Sequence, residues 1–337
     1  MIDSRGFISY DEAVRTTWAP LRPEGGLNEL VRYATLAANS HNTQPWRFTV
    51  DERRITIAPD FARRCPAVDP DDHHLFASLG CAAENLAHAA AAVGLRATPA
   101  FEANAVSIRL EPTPPVRSPL LEAIPRRQCT RAAYDGRPVA TESLRLLEQA
   151  GTADGVAMLV ITDRAEISKF ADYVVEGNTV QMRNKAFMNE LKDWLRFNAR
   201  EAVASMDGLF AAASGDPSLP GWQARLLLPF VFTESAENGK YRAHIHSSAG
   251  IAVFVSDHDD RAHWVKAGRA YQRFALQATA LGLKHAFINQ PVEVPRVRQQ
   301  LASYMGLGER RPDLIVRFGI GPDLPRSLRR PVRYVIG

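Results

Sequence analysis

Three polar segments of this 337-residue sequence carry side chains that could meet a ligand. The first, Ser40-His41-Asn42-Thr43-Gln44-Pro45-Trp46, follows an apolar helical pattern and precedes an alternating run. Its hydroxyls, side-chain amides and backbone N–H groups can meet heteroatoms, while Pro45 stiffens the turn and Trp46 anchors it. Taken alone, the segment reads more simply as a capped helix-to-strand connection. The second is Arg126-Arg127-Gln128-Cys129-Thr130-Arg131. Three guanidinium groups within six positions repel one another unless an anion or solvent intervenes, so the cluster is either an exposed basic face or an anion grip. The third is the basic tail Pro325-Arg326-Ser327-Leu328-Arg329-Arg330-Pro331, and the strand-like Val332-Arg333-Tyr334-Val335-Ile336 after it implies that the tail docks.

Other chemistries find less support. Cys65, Asp69, Asp71, Asp72, His73 and His74 crowd together, but their spacing fits no established ligand pattern, and aspartates just before a helix ordinarily cap it; no metal is expected. His244 and His246 beside Ser247-Ser248 lack a G-x-S-x-G elbow, and neither a G-x-G-x-x-G nor a Walker motif occurs. The three cysteines are never in a C-x-x-C pair, which fits reduced thiols. A content of 46% hydrophobic and 23% charged residues is that of an ordinary globular protein. The net charge of +4 rests on local arginine clusters without a long basic stripe, which argues against nucleic acid and for small anions. No secretory leader pattern and no long uninterrupted apolar run is present, so a cytoplasmic protein without a membrane span is expected.

The elements that must position these residues follow a repeated order. His74–Ala97 and His263–Phe287 both read as long, largely buried helical patterns, in which Gly80, Asn85 and Gly94-Leu95 answer to Gly268, Arg273 and Gly282-Leu283. A shorter helix precedes each: NELVRYATLA from 28 and ESLRLLEQAG from 142. Strands are expected in 47–60 as a hairpin, and in 105–112, 156–163, 249–257 and 312–321. The proline-rich stretch 112–119 separates an N-terminal half, 1–115, from a C-terminal half, 116–337. Residues 164–246 have no counterpart in the first half and read as an inserted helical flap, with one amphipathic helix over AFMNELKDWLRFNAREAVASM; it either packs over apolar surface or closes as a lid over a ligand.

Taken together, the SHNTQPW turn, the R-x-C-T-R turn, the paired G-x-x-x-x-N-L-type helices and the basic proline tail resemble the nitroreductase superfamily, whose usual forms are S-S-x-N-x-Q-P-W and R-x-S-x-R. Within it the sequence looks most like the fused, Acg-type flavoproteins. The resemblance covers nearly the whole chain outside 164–246 and implies an α+β, FMN-dependent nitroreductase-like fold, with two degenerate repeats forming an intramolecular pseudo-dimer. Because the first motif is kept only in the first half and the arginine motif only in the second, one FMN per chain is implied, against two in the family's homodimers.

Position by position, the resemblance implies that Arg127 and Arg131 flank the FMN phosphate and pyrimidine edge, with Cys129 where the family has serine. Arg329 or Arg330 stands at the phosphate. Ser40, Asn42 and Gln44 lie against the flavin from the other half, and Asn289 and Gln290 belong to a segment presenting backbone near N5. No acid–base triad is needed, because a flavin carries the electrons itself. The implied partners are a planar nitroaromatic, quinone or similar acceptor and NAD(P)H as donor, in a monomeric pseudo-dimer or weak homodimer. The alternative is an FMN-sequestering protein whose lid blocks the nicotinamide.

Overall fold

The computed structural model describes residues 8–337. Helices α1 (Tyr10–Thr17) and α2 (Gly26–Thr35) lead into the hairpin β1 (Trp46–Asp51) and β2 (Arg54–Pro59), then α3 (His73–Ala92), β3 (Leu95–Glu102) and β4 (Ala105–Pro112). All neighbouring strands are antiparallel, in the order β1-β2-β4-β3. The strand β3 lies beyond the sequence expectation. It contains Pro99, whose missing N–H is tolerated here because β3 is an edge strand.

The second half starts with α4 (Pro119–Ala123), α5 (Thr141–Gly151) and β5 (Val156–Ile161). The flap then runs through α6 (Arg164–Arg183), α7 (Lys185–Trp194), β6 (Leu195–Arg196), α8 (Ala199–Ser205), β7 (Leu209–Phe210), α9 (Gly221–Val231) and α10 (Glu234–His246). After it come β8 (Gly250–Ser256), α11 (Arg261–Ala280), β9 (Lys284–Phe287), α12 (Gln290–Glu293), α13 (Pro295–Tyr304) and β10 (Pro312–Gly319). The sheet order is β5-β8-β10-β9, again antiparallel throughout. Counted relative to the long helix, this is the same order as in the first sheet.

Three sequence expectations need correction, the first in the tail, where the strand-like Val332–Tyr334 forms a 3-10 turn and Ile336 alone bridges to Phe48. The long pattern 263–287 is not all helix: Gly282, at φ 76°, ends it, and Lys284–Phe287 pairs with β10. The single helix expected from Ala186 to Met206 breaks at Leu195, where Leu195–Arg196 pairs in parallel with Leu209–Phe210 and Asn198 caps a new helix by accepting the Glu201 N–H.

The long helices α3 and α11 cross where neither has a side chain. A Cβ on Gly80 would lie 2.0 Å from the Val265 carbonyl oxygen, and one on Gly268 would lie 1.9 Å from that of Ala77. The contact is reciprocal, since each glycine meets the carbonyl three residues before the other. Alongside, Gln272 Nε2 donates to Asn85 Oδ1 at 2.7 Å. Asn85 donates to the Tyr33 carbonyl of α2, and Arg273 donates to the Ala150 carbonyl of α5. The halves are laced at their ends too. Phe48 of β1 exchanges backbone hydrogen bonds with Val335 and Gly337, and Thr130 N–H donates to the His285 carbonyl of β9.

Candidate functional site

The SHNTQPW turn holds three non-glycine residues at positive φ: His41 (47°), Asn42 (53°) and Gln44 (55°). Asparagine tolerates this region, whereas glutamine there is strained unless its surroundings over-determine it. They do. Gln44 N–H donates to Asn39 Oδ1 at 2.8 Å, Gln44 Nε2 donates to the Met206 carbonyl, and Gln44 Oε1 accepts the Arg330 N–H. Asn42 Nδ2 is shared between the carbonyls of Gly208 and Leu328. The turn is thus clamped between the flap and the C-terminal tail.

The arginine turn is pinned from behind. Arg317 of β10 is 2% exposed and donates to the carbonyls of Thr130 and Ala132, with its guanidinium 4.1 Å from the Tyr134 ring centre. In front of it lie two adjoining cavities, of about 220 and 90 Å³. Arg131, His41 and Phe287 are among the residues lining both. The smaller is walled by Arg127, Cys129, Arg326 and Arg329 together with Trp18 and Asn42. Ser40, Asn289 and Gln290 line the larger, with Tyr241 and Glu293. The flap reaches both, through Leu209 and Ser214, and Arg131 donates to Ser214 Oγ. It also packs on the second sheet, where Ile167, Phe170 and Val174 of α6 join Ile251, Val253 and Val255 in one core.

The electrostatics of the smaller cavity set it apart. Arg127 and Arg329 are 3% and 7% exposed, yet among the described residues neither pairs with a carboxylate, and nor do Arg131 or Arg326. The partners are instead carbonyl oxygens: Leu36 for Arg127, Thr35 and Ala37 for Arg329, Pro125 and Arg126 for Arg326. Several of these carbonyls close α2, a helix end that favours cations. Burial, then the charges of Arg127 and Arg326, still pulls Arg329 down to about 9. Buried Nε of Arg127 has no partner at all. A set of desolvated, uncompensated guanidiniums around a cavity is chemically complete only with an anion in it.

Eight of the ten residues singled out in the sequence line one of the two cavities. Gln44 and Arg330 line neither: Gln44 spends its amide on Met206 and on the tail, and Arg330 donates to the Tyr334 carbonyl. Asn42 borders the smaller cavity, with its side chain joining Gly208, Leu328 and Arg329. Two further lining residues stand in the sequence motifs but were not assigned to the ligand. Arg326 stands three positions before Arg329 in the same tail, and that repetition was the available signal. His41 occupies the family's variable position; its Nδ1 is buried without a partner, and burial, then the charge of Arg131, lowers it to about 4, so the ring is neutral.

Asp69, His73 and His74 offer donor atoms within 4.8 Å of one another. Their hydrogen bonds serve folding instead: Asp69 accepts the N–H groups of His74 and Leu75 at the start of α3, and His73 Nε2 is bonded to Asp313 at 2.9 Å. Asp313, at a register shift in β10, also accepts from Ser256 N–H and Oγ. No helix among the described residues is long and apolar enough to cross a membrane.

No family model matches the chain. A Mycobacterium tuberculosis protein named "Putative NAD(P)H nitroreductase" is 27% identical over 323 residues, spanning 90% of this chain and 88% of its own. A second from that organism, with the same name followed by acg, is 24% identical over 325 residues, spanning 92% and 94%. Over nearly its whole length the chain is thus similar to proteins named as nitroreductases, the superfamily that its motifs resemble. Among solved structures, the FMN-dependent nitroreductase NfnB of Mycobacterium smegmatis in complex with NADPH aligns at TM-score 0.44 with 16% identity, over 64% of this chain and 96% of that one. A nitroreductase with bound FMN from Bacteroides fragilis aligns at 0.39 with 15% identity, over 63% and 94%.

Proposed function

We propose that this nitroreductase-superfamily chain is a duplicated protein, divided near residue 115, that binds one FMN between its halves and passes electrons from a reduced nicotinamide to a nitroaromatic, quinone or similar planar acceptor. The observation that carries the reading is the carboxylate-free cluster of buried Arg127 and Arg329 with half-buried Arg326, around a cavity that adjoins a larger one. The residues fit the cofactor: the unpartnered Nε of Arg127 and the depressed Arg329 call for a dianionic group, which a flavin mononucleotide carries at one end. Arg127, Arg326 and Arg329 would hold the phosphate. Arg131, at the junction of the two cavities, would sit nearer the ring, with Cys129 beside it and Ser40, Asn289 and Gln290 along the larger cavity. The reciprocal glycine crossing and the matching strand orders support the duplication.

When bound, FMN supplies reversible two-electron chemistry. The chain's own residues orient and polarise. Arg131 would place positive charge beside any negative charge that develops on the ring or the acceptor, inside a low-dielectric pocket where such charge is worth most. His41 is neutral and adds no competing charge. The flap, through Leu209 and Ser214, would keep water from both cavities.

The same contact favours a second reading, in which the flap shuts out the nicotinamide and the protein stores flavin. The absorbance spectrum of the purified protein, followed by anaerobic titration with NADPH and NADH, separates the two. A yellow protein bleached by either nucleotide supports the reductase, and bleaching by dithionite alone supports storage. Colourless protein that takes up no added FMN ends both.

A further inference from the structure

The larger cavity shares a wall with a third one, of about 220 Å³, and two residues line both: His74 and Glu293. On its far side the third cavity reaches Asp71, whose side chain is 39% exposed, so it leads toward solvent. Glu293 ends α12, a short helix that lies tight against α6 because Gly177 has no side chain; a Cβ there would sit 2.6 Å from the Gln290 carbonyl oxygen. That approach brings Gln181, one turn further along α6, within 2.6 Å of Glu293 Oε2, to which its Nε2 donates.

The two wall residues differ in what they can give. Asn289 Oδ1 accepts the Ile315 N–H at 2.8 Å, which fixes the amide with Nδ2 toward His74 Nε2 at 3.3 Å. His74 thus has Nε2 against Asn289 and Nδ1 facing Asp69 at 3.5 Å; burial lowers the ring's pKa, but the hydrogen bond and charge of Asp69 raise it above its ordinary value. Held this way, the ring has no N–H to offer the larger cavity. Glu293 has one oxygen on Gln181, and among the described residues no other side chain or backbone group donates to its carboxyl. Its second oxygen is free to serve whatever occupies the cavity.

We propose that Glu293 is the proton donor to the acceptor reduced in the larger cavity and is reprotonated by water through the third cavity; this rests on the reductase reading above. For a quinone the balance is as follows. One hydride from the reduced flavin, which is thereby oxidised, brings two electrons and one hydrogen to the acceptor and leaves negative charge on an oxygen. The Glu293 O–H bond breaks, its proton forms the second O–H bond of the hydroquinone, and the bonding pair stays on the carboxylate. Water in the third cavity then returns a proton to Glu293, and the hydroxide left behind is neutralised by buffer. Burial raises the Glu293 carboxyl above its ordinary value and Asp69 adds to the rise, against the opposing pull of His74, Gln181 and Arg131. Tyr241 of α10 also faces it, as does Cys65, while Arg298 of α13 and Arg311 stand across the third cavity.

The test uses Glu293→Gln, which preserves size, in two measurements. In protein stripped of flavin, the infrared carbonyl stretches of protonated carboxylic acids are followed against pH in deuterium oxide; a component persisting above the ordinary glutamate range is expected and should be missing from the variant, while that of Asp313 stays. In flavin-loaded protein, anaerobic reoxidation by a soluble quinone should slow as pH rises through the Glu293 titration. The variant should be slower by roughly 100-fold at low pH and should lack that limb, and Glu293→Asp should restore it in part. FMN affinity and reduction by the nicotinamide should stay as in the parent. A variant that keeps all the parental carboxylic-acid bands, or one with the parental pH profile, overturns the proposal while leaving the reductase reading intact. A protein that binds no flavin sinks the reductase reading, and this proposal with it.

Discussion

The first sheet turns one face to solvent, and the central strands of the second turn none. Along β1, Arg47 and Thr49 are exposed between the buried Trp46 and Phe48, whereas every residue of β8 and β10 is buried. Strand order and helix crossing are shared, so the contrast comes from what covers the outer face, which in the second half is α6 and its neighbours. The arginines diverge in the same way. Arg15 and Arg22, before α2, are paired with Glu12 and Glu29, while Arg127 and Arg131, before α5, line the smaller cavity, which has no carboxylate in its wall. Two sheets of matching strand order thus differ in their arginines, paired with carboxylates beside the first and left facing a carboxylate-free cavity beside the second, which fits the proposal of one flavin per chain.

The comparison breaks most sharply at the glycine crossing. Gly80→Val and Gly268→Val should each cost about 4 kcal/mol or more, to similar degrees, because each new side chain meets backbone that cannot yield. Urea unfolding of both variants checks this, and a large inequality would mean that the crossing is not reciprocal in energy. Next come the outer faces: Ile251→Ala should cost about 2–5 kcal/mol, and Thr49→Ala should stay within about 0.5 kcal/mol.

For the arginines, Arg127→Ala should weaken FMN binding roughly 10- to 100-fold, the loss of about 1.5–3 kcal/mol expected for a hydrogen bond to a charged group. Arg22→Ala should leave binding unchanged, as quenching of flavin fluorescence would show. Removing FMN from the parent should lower its melting temperature, and adding it back at 100 times its Kd should restore about 2.7 kcal/mol.

A further effect is a slope. Burial raises Asp313 to about 7, against its hydrogen bonds from Ser256 and the charge of Arg311. The folded state therefore holds a proton that the unfolded chain has already released. This contribution is complete below about pH 4 and is lost as pH rises through about 7. The melting temperature of the parent, relative to Asp313→Asn, should fall by a few degrees across that window; a constant difference would refute the assignment.

Much of this was legible in the residues, for reasons that can be named. Helical periodicity and the matched glycines located α3 and α11, because close packing constrains spacing. The strands β3 and β9 escaped since each continues a helical pattern past a glycine, and Lys284–Phe287 alone is too short to show a period. Ser40, Arg127 and Arg131 could be singled out by type and motif. Gln44 and Arg330 could not be told from them, because a side chain that buttresses a strained turn and one that faces a ligand have the same chemistry. Only the tertiary contacts with Met206 and the tail separate the two roles.

The return of the tail to β1 has a consequence for biosynthesis. Phe48 leaves the ribosome almost three hundred residues before Val335, its hydrogen-bonding partner, and Arg326 and Arg329 emerge only shortly before it. During that interval the N-terminal sheet has an unclosed edge strand, and the anion cavity lacks two of its cations. A growing chain can form its first core early, yet the proposed anion site stays incomplete until Arg326 and Arg329 have been made.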